Sequence, residues 1–269
     1  MCPNCRAFIT TEDKVCPYCD MEIGARAIDR RSPPDILGGL IPHAHFTTIV
    51  ILLINFGLYV AMMLRTLNSG GNVGMDIDPQ TLLDFGAKYR RAIFLGQYWR
   101  LITAGFLHGG LMHILMNSWV LFDLGAQVEE AYGTPRFIAF YVITTITGFL
   151  ASNYWSSALS IGSSAGIFGL IGAMIAMGVR DRSAYGSAVR SVYMRWAIYS
   201  LVMGLLPFFA TDNAAHIGGI AGGFAVAYVA GTPGFSQTTE RVWQVIAGIC
   251  LAMTGYAFLR MILWLLSAN

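Results

Sequence analysis

The chain has 269 residues, of which 55% are hydrophobic and 12% charged, about half the charged share of a soluble domain. That composition excludes an ordinary water-soluble globule and points to a membrane protein. The net charge is +2 and only two of the 17 basic residues are lysines, so there is no basic face for nucleic acid and no polybasic lipid-binding tail.

The N-terminus carries two CxxC pairs, Cys2-Pro3-Asn4-Cys5 and Cys16-Pro17-Tyr18-Cys19, ten residues apart. Each pair presents two thiolates from one tight turn, and two such turns face to face form a tetrahedral site of four cysteines. Residues 1–23 are too few to be stabilised by a core, so a structural Zn²⁺ held by Cys2, Cys5, Cys16 and Cys19 would supply the folding energy. Two disulfides are the alternative, disfavoured if this end faces a reducing cytosol. The module resembles a minimal zinc ribbon, with Arg6 and Asp20 where a glycine usually follows the second cysteine. It is a candidate dock for a protein partner. Residues 24–45, with Arg30-Arg31-Ser32-Pro33-Pro34, read as a linker. His43 and His45 are membrane-edge residues, not metal ligands, because four thiolates already close the site.

The first long apolar run starts near Phe46, so no cleavable signal peptide is expected. Seven spans follow, at about 46–64, 109–127, 137–154, 164–179, 193–209, 213–230 and 242–265. The fourth is ~24 Å long if helical, shorter than the bilayer core, so an irregular stretch through 156–163 should dip below the outer surface. A water-filled depression is expected there. Arg6, Lys14, Arg26, Arg30, Arg31, Arg136, Arg180, Arg182, Arg190, Arg195 and Arg241 fall on one side. Arg65, Lys88, Arg90, Arg91 and Arg100 fall on the other. This bias favours a cytoplasmic N-terminus. Cys250, in the last span, reads as packing.

Ser164 and His216 each open a short apolar helix, 15 residues before Val179 and Gly231 respectively. Both side chains therefore lie ~22 Å from the inner face. His113 and Asn117, spaced i and i+4, share one helix face at ~24 and ~18 Å from that boundary. Polar groups from three helices at one depth are costly in a membrane and tend to be functional. The chemistry that fits is acyl transfer. An imidazole activates a hydroxyl, and Asn117, His113 and backbone N–H groups stabilise the oxyanion. No acidic residue has triad spacing, and Asp212 is expected in the outer loop, so a Ser–His dyad is the better reading. Ser163 is an alternative hydroxyl one position away. Gly166, Gly169, Gly172 and Ala173 on one helix and Gly218, Gly219, Gly222 and Gly223 on the other would allow close approach. Such small-residue spacing is common in any helix bundle.

These residues carry a specific resemblance. Gly162-Ser163-Ser164-Ala165, the His108…His113…Asn117 series and Ala215-His216-Ile217-Gly218-Gly219 resemble the motifs of rhomboid intramembrane serine proteases. Tyr98-Trp99-Arg100 and the Gly125…Glu129…Gly133 stretch are similar too. The resemblance covers about 46–231 and implies an all-α polytopic membrane protein with a rhomboid-like six-helix catalytic core. Residues 232–269 would then supply a seventh C-terminal transmembrane helix. It implies Ser164 as nucleophile, His216 as general base and His113 and Asn117 as oxyanion donors, with Phe168 stacked on the histidine. Ala165 stands where relatives often have glycine, and Phe168 where they often have tyrosine. The Ile-Phe-Gly that follows places the nucleophile at Ser164. His108 and the pair Glu129 and Glu130 read as structural, the former bracing the outer loop, the latter capping loops and balancing Arg136. The long outer segment 67–97 would lie partly in the membrane.

The implied activity is an endopeptidase that cleaves single-span transmembrane proteins in the lipid bilayer and needs no cofactor for catalysis. It would reside as a multi-pass protein in a bacterial inner membrane. The runner-up is a non-catalytic rhomboid-like protein that binds transmembrane helices. A proton-relay transporter is a third class, but the paired acidic residues and inverted repeats it would need are not seen.

Overall fold

The computed structural model describes residues 5, 15–21, 46–70, 75–206, 211–234 and 236–267. The linker at 24–45 lies outside them, as do Cys2 and most of the 1–23 module. Ten α-helices are present among the described residues: α1 (Phe46–Asn68), α2 (Pro79–Asp84), α3 (Arg90–Phe94), α4 (Arg100–Thr103), α5 (Leu111–Tyr132), α6 (Thr134–Trp155), α7 (Ser164–Arg180), α8 (Ala184–Met203), α9 (Asn213–Ala230) and α10 (Gln237–Ser267). Seven of these have 17 residues or more and form an all-α bundle. α1, α6 and α10 are long and apolar enough to cross a membrane on composition alone. The exterior is apolar, with Trp119, Leu205 and Val229 each at least 75% exposed, as expected of a surface solvated by lipid.

At the centre stands α7, with 14 of its 17 residues buried. It is held between α6 and α9, and the contact with α9 is made backbone to backbone. A methyl group at Gly172 would fall on the Ile220 carbonyl, and one at Gly223 on the carbonyl of Gly169. Gly148 of α6 faces Ala215 O and Ala165 in the same way. Gly172, Gly219 and Gly223 thus form the α7–α9 contact the sequence suggested, whereas Gly166, Gly169, Gly218 and Gly222 turn toward α6. Helices that approach this closely gain dispersion contacts that larger side chains would block.

Three spans differ from expectation by five residues or more at one end, the seventh because α10, expected at 242–265, already starts at Gln237. The second was expected at 109–127, but α5 runs to Tyr132. Its last turns carry Glu129, only 5% exposed, whose Oε1 accepts from the hydroxyls of Thr47 and Thr134 at 2.7 Å each. A carboxylate held in this way does not end a helix. Gly133, at φ +77°, is at once the C-cap of α5 and the N-cap of α6. Such a one-residue corner needs a left-handed backbone that glycine adopts freely. The fifth span was expected at 193–209, but α8 starts at Ala184, capped by Ser183 Oγ accepting from Gly186 N. Hydropathy misses this half because it holds Arg190. Residues with long cationic side chains reach the interface while their helix stays in the membrane.

α10 is fastened to α6. Arg136, 1% exposed at its side chain, donates through Nη1 and Nη2 to the two carboxylate oxygens of Glu240 at 2.5 and 2.9 Å. Its guanidinium also lies 5.4 Å from the ring centroid of Trp243. Further along, Phe258 packs edge-on against Phe106 at 5.2 Å.

Candidate active site

The chain entering α7 is irregular and heavily fastened. Residues 88 and 160 pair as an antiparallel bridge, with Lys88 N–H to Ser160 O at 3.0 Å and Ser160 N–H to Lys88 O at 3.1 Å. The Lys88 ammonium, fully buried, donates to the carbonyls of Ser156 and Ala158 at 2.8 and 3.0 Å. Gly162 N–H then donates to Ala104 O at 2.9 Å. A stretch with no helix of its own is thereby satisfied inside the protein, which is the condition for irregular backbone at membrane depth. The segment at 67–97, whose role was not legible in the sequence, supplies the lysine that grips it.

Ser164 is the first residue of α7 and is partly exposed. Its Oγ lies 3.0 Å from His216 Nε2. Ser163 is fully buried and points the other way, with Oγ 3.4 Å from His108 Nε2. Geometry therefore separates the two hydroxyls that the sequence left one position apart. Phe168, one turn along α7, lies flat on the His216 ring, centroids 3.9 Å apart and planes within 7°. His216 is 5% exposed, and its Nδ1 has no hydrogen-bond partner among the described residues.

Asp212 does not sit free in an outer loop. It is the N-cap of α9, with Oδ1 accepting from Ala215 N–H at 3.0 Å and Oδ2 accepting from Ser152 Oγ of α6. Burial would raise its carboxyl, but the hydroxyls of Ser152 and Ser160, the Ala215 N–H and the Lys88 charge outweigh it and hold it below the usual range. Burial pushes the Lys88 ammonium below its ordinary value, with Asp212 opposing. Neither residue stood out in the sequence as part of a site. A lone lysine in a loop carries no spacing signal, and Asp212, at position −4 from His216, lacks the spacing of a triad member.

His113 and Asn117 project from α5 toward Gly162. Asn117 Nδ2 donates to His113 O at 3.1 Å. Gly162 has φ +119°, and a side chain there would sit 2.7 Å from His113 Nε2 and 3.7 Å from Asn117 Nδ2. Glycine is needed twice over here, for its backbone conformation and for the space before His113 Nε2 and Asn117 Nδ2. His108 is fully buried, edge-on to His113 at 5.1 Å, so it braces the start of α7 and the His113 ring rather than the outer loop.

At the N-terminal head, the ligand atoms of Cys5, Cys16 and Cys19 all lie within 4.8 Å of one another, Cys5 and Cys16 Sγ being 3.6 Å apart. A tetrahedral zinc with ~2.3 Å Zn–S bonds sets its sulfurs about 3.8 Å apart, so these thiols fit such an ion. The fourth expected ligand, Cys2, lies outside the described residues.

Comparison with known proteins agrees with this architecture. The Rhomboid domain family model matches residues 95–233, just over half of the chain. "Rhomboid protease GluP" of Bacillus subtilis (strain 168) is 34% identical over 183 residues, covering 67% of this chain and 35% of that protein. "RHOMBOID-like protein 5" of Arabidopsis thaliana is 34% identical over 154 residues, 55% of this chain and 49% of the relative. "Rhomboid-like protease 2" of Toxoplasma gondii is 33% identical over 193 residues, 68% and 65% respectively. The chain thus spans between about a third and two thirds of the length of these relatives. The family model and these relatives agree: this multi-pass membrane protein belongs to the rhomboid family.

Proposed function

We propose that the chain is an intramembrane serine endopeptidase that hydrolyses peptide bonds in or near the transmembrane segments of single-span proteins through a Ser164–His216 dyad. The observation that carries this reading is the 3.0 Å approach of Ser164 Oγ to His216 Nε2, made by a partly exposed hydroxyl and a ring stacked on Phe168. Ser164 Oγ attacks the scissile carbonyl while His216 Nε2 takes its proton. The resulting oxyanion is stabilised by His113, the Asn117 amide and N–H groups at the start of α7. His216 returns the proton to the leaving amine, and the acyl enzyme forms. A water activated by His216 then releases the second product and restores the hydroxyl. Atoms balance with one water consumed and no cofactor.

Purified protein with a transmembrane reporter tests this. Ser164→Ala and His216→Ala are each expected to lower cleavage by at least ~10³-fold, while Ser163→Ala leaves it within a few-fold of wild type. Loss confined to Ser163→Ala would move the nucleophile by one residue. No cleavage by folded wild type on several reporters would favour a role in binding transmembrane helices.

The head is proposed to hold one structural zinc through Cys2, Cys5, Cys16 and Cys19, and to lie in the cytoplasm as a dock for a protein partner. The ion would supply folding energy and no chemistry in peptide hydrolysis. Replacing Cys16 and Cys19 with serine should abolish the bound zinc, read by metal analysis, and leave cleavage in detergent unchanged. Loss of cleavage by a folded double variant would make the head part of the catalytic unit.

A further inference from the structure

We propose that Asp212 is a positioning residue for the reaction, a carboxylate that seats His216 through the first turn of α9 and stabilises the imidazolium formed when Ser164 gives up its proton. The inference rests on the serine-protease reading above. Asp212 lies four positions before His216, one helical turn or ~6 Å of rise.

Three observations carry it. The first is connectivity. One carboxylate accepts from Ser152 on α6 and from Ala215 N–H on α9. It thus ties the first turn of the histidine's helix to α6, which packs on α7 as well. The second is charge. Capping α9 requires only an acceptor, which serine or asparagine supplies equally well. A buried ionised group is costly unless it is offset, and here the offset is built in, because Lys88 lies fully buried beside the same stretch of chain and its charge acts on Asp212. The third is His216 itself, whose Nδ1 finds no acceptor among the described residues. No carboxylate touches the ring, so an imidazolium in this low-dielectric site would have its balancing charge at a distance.

The groups that face this pair are few. Around His216 stand Ser164 from α7, Phe168 above the ring, and His113 from α5 with His108 behind it. Around Asp212 stand Lys88 and the neutral hydroxyls of Ser152 and Ser160. Asp212 is the anion among them.

The test is the rate at which a fluorophosphonate probe labels Ser164 in detergent-solubilised full-length protein, followed from pH 5 to 9. In that step the Ser164 Oγ–P bond forms, the P–F bond breaks, fluoride leaves and His216 takes the hydroxyl proton. Asp212→Asn keeps an N-capping acceptor and removes the charge. It is expected to label about tenfold more slowly at neutral pH, with the acid limb of the rate profile moved about one unit lower and the thermal midpoint unchanged. Labelling at the wild-type rate with an unmoved acid limb would make Asp212 a helix cap only and overturn the proposal. If Asp212→Asn does not fold, Asp212→Ser, also a capping residue, is read by the same two criteria. Wild type that labels no faster than Ser164→Ala would instead sink the serine-protease reading, which keeps the two failures apart.

Discussion

Gly223→Val is expected to lower reporter cleavage by at least ~10²-fold while leaving most of the helical bundle formed. Gly223 lies two turns along α9 from His216, against α7. A Cβ there would come within 3.0 Å of Gly169 O, C and Cα, all backbone atoms. Backbone cannot rotate away as a side chain can, so α9 must withdraw from α7 by about an ångström. Ser164 and His216 stand on those two helices, and their 3.0 Å hydrogen bond would open with the separation. A misplacement of ~1 Å in a reacting pair costs roughly 10²-fold. Gly248→Val on α10 is the control, since no atom lies within 4 Å of its added Cβ, and it should cleave like wild type. Cleavage within threefold of wild type in Gly223→Val would mean that the dyad does not depend on this helix contact.

Glu240→Gln is expected to cost about 3–5 kcal/mol and to lower the thermal midpoint by on the order of 10 °C. The reason is asymmetric. Arg136 is 1% exposed at its side chain and spends two donors on Glu240. Removing the partner's charge strands a buried guanidinium, and that is far costlier than never burying one. Arg136→Met combined with Glu240→Leu removes both charges and should recover most of the loss. A double variant no more stable than Glu240→Gln would mean that α10 is held by the packing of Phe258 on Phe106 and of Trp243 on Phe140 and not by this ion pair. Because the pair is remote from Ser164 in the chain and binds α6 to α10, its loss should reduce stability before it reduces the rate per folded molecule.

Much of the helical frame is legible in the sequence where an apolar run ends in a hard stop. The fourth and sixth spans, expected at 164–179 and 213–230, correspond to Ser164–Arg180 and Asn213–Ala230, because Arg180 and Gly231 punctuate them. The second and fifth are misread for one reason, charges that lie within helices. Glu129 is carried by hydroxyls from neighbouring elements, and Arg190 belongs to an exposed helical face. Equal depth was enough to suggest that Ser164 and His216 meet, since helix rise turns residue counts into height. It could not choose between Ser163 and Ser164, because a one-residue step is a rotation of about 100° and only the packed helix shows which hydroxyl faces α9. Nor could it find Lys88 or Asp212. Their part depends on an irregular stretch and a helix start coming together from segments far apart in the chain, and no periodicity records that.

The position of a covalent adduct is the most direct test of the dyad. Full-length protein is treated with a fluorophosphonate, digested and mapped by mass spectrometry, alongside His216→Ala. One phosphonylated residue is expected, Ser164, and its labelling is lost when His216 is removed. An adduct on Ser163, or a Ser164 adduct that forms equally fast without His216, would contradict the proposed chemistry.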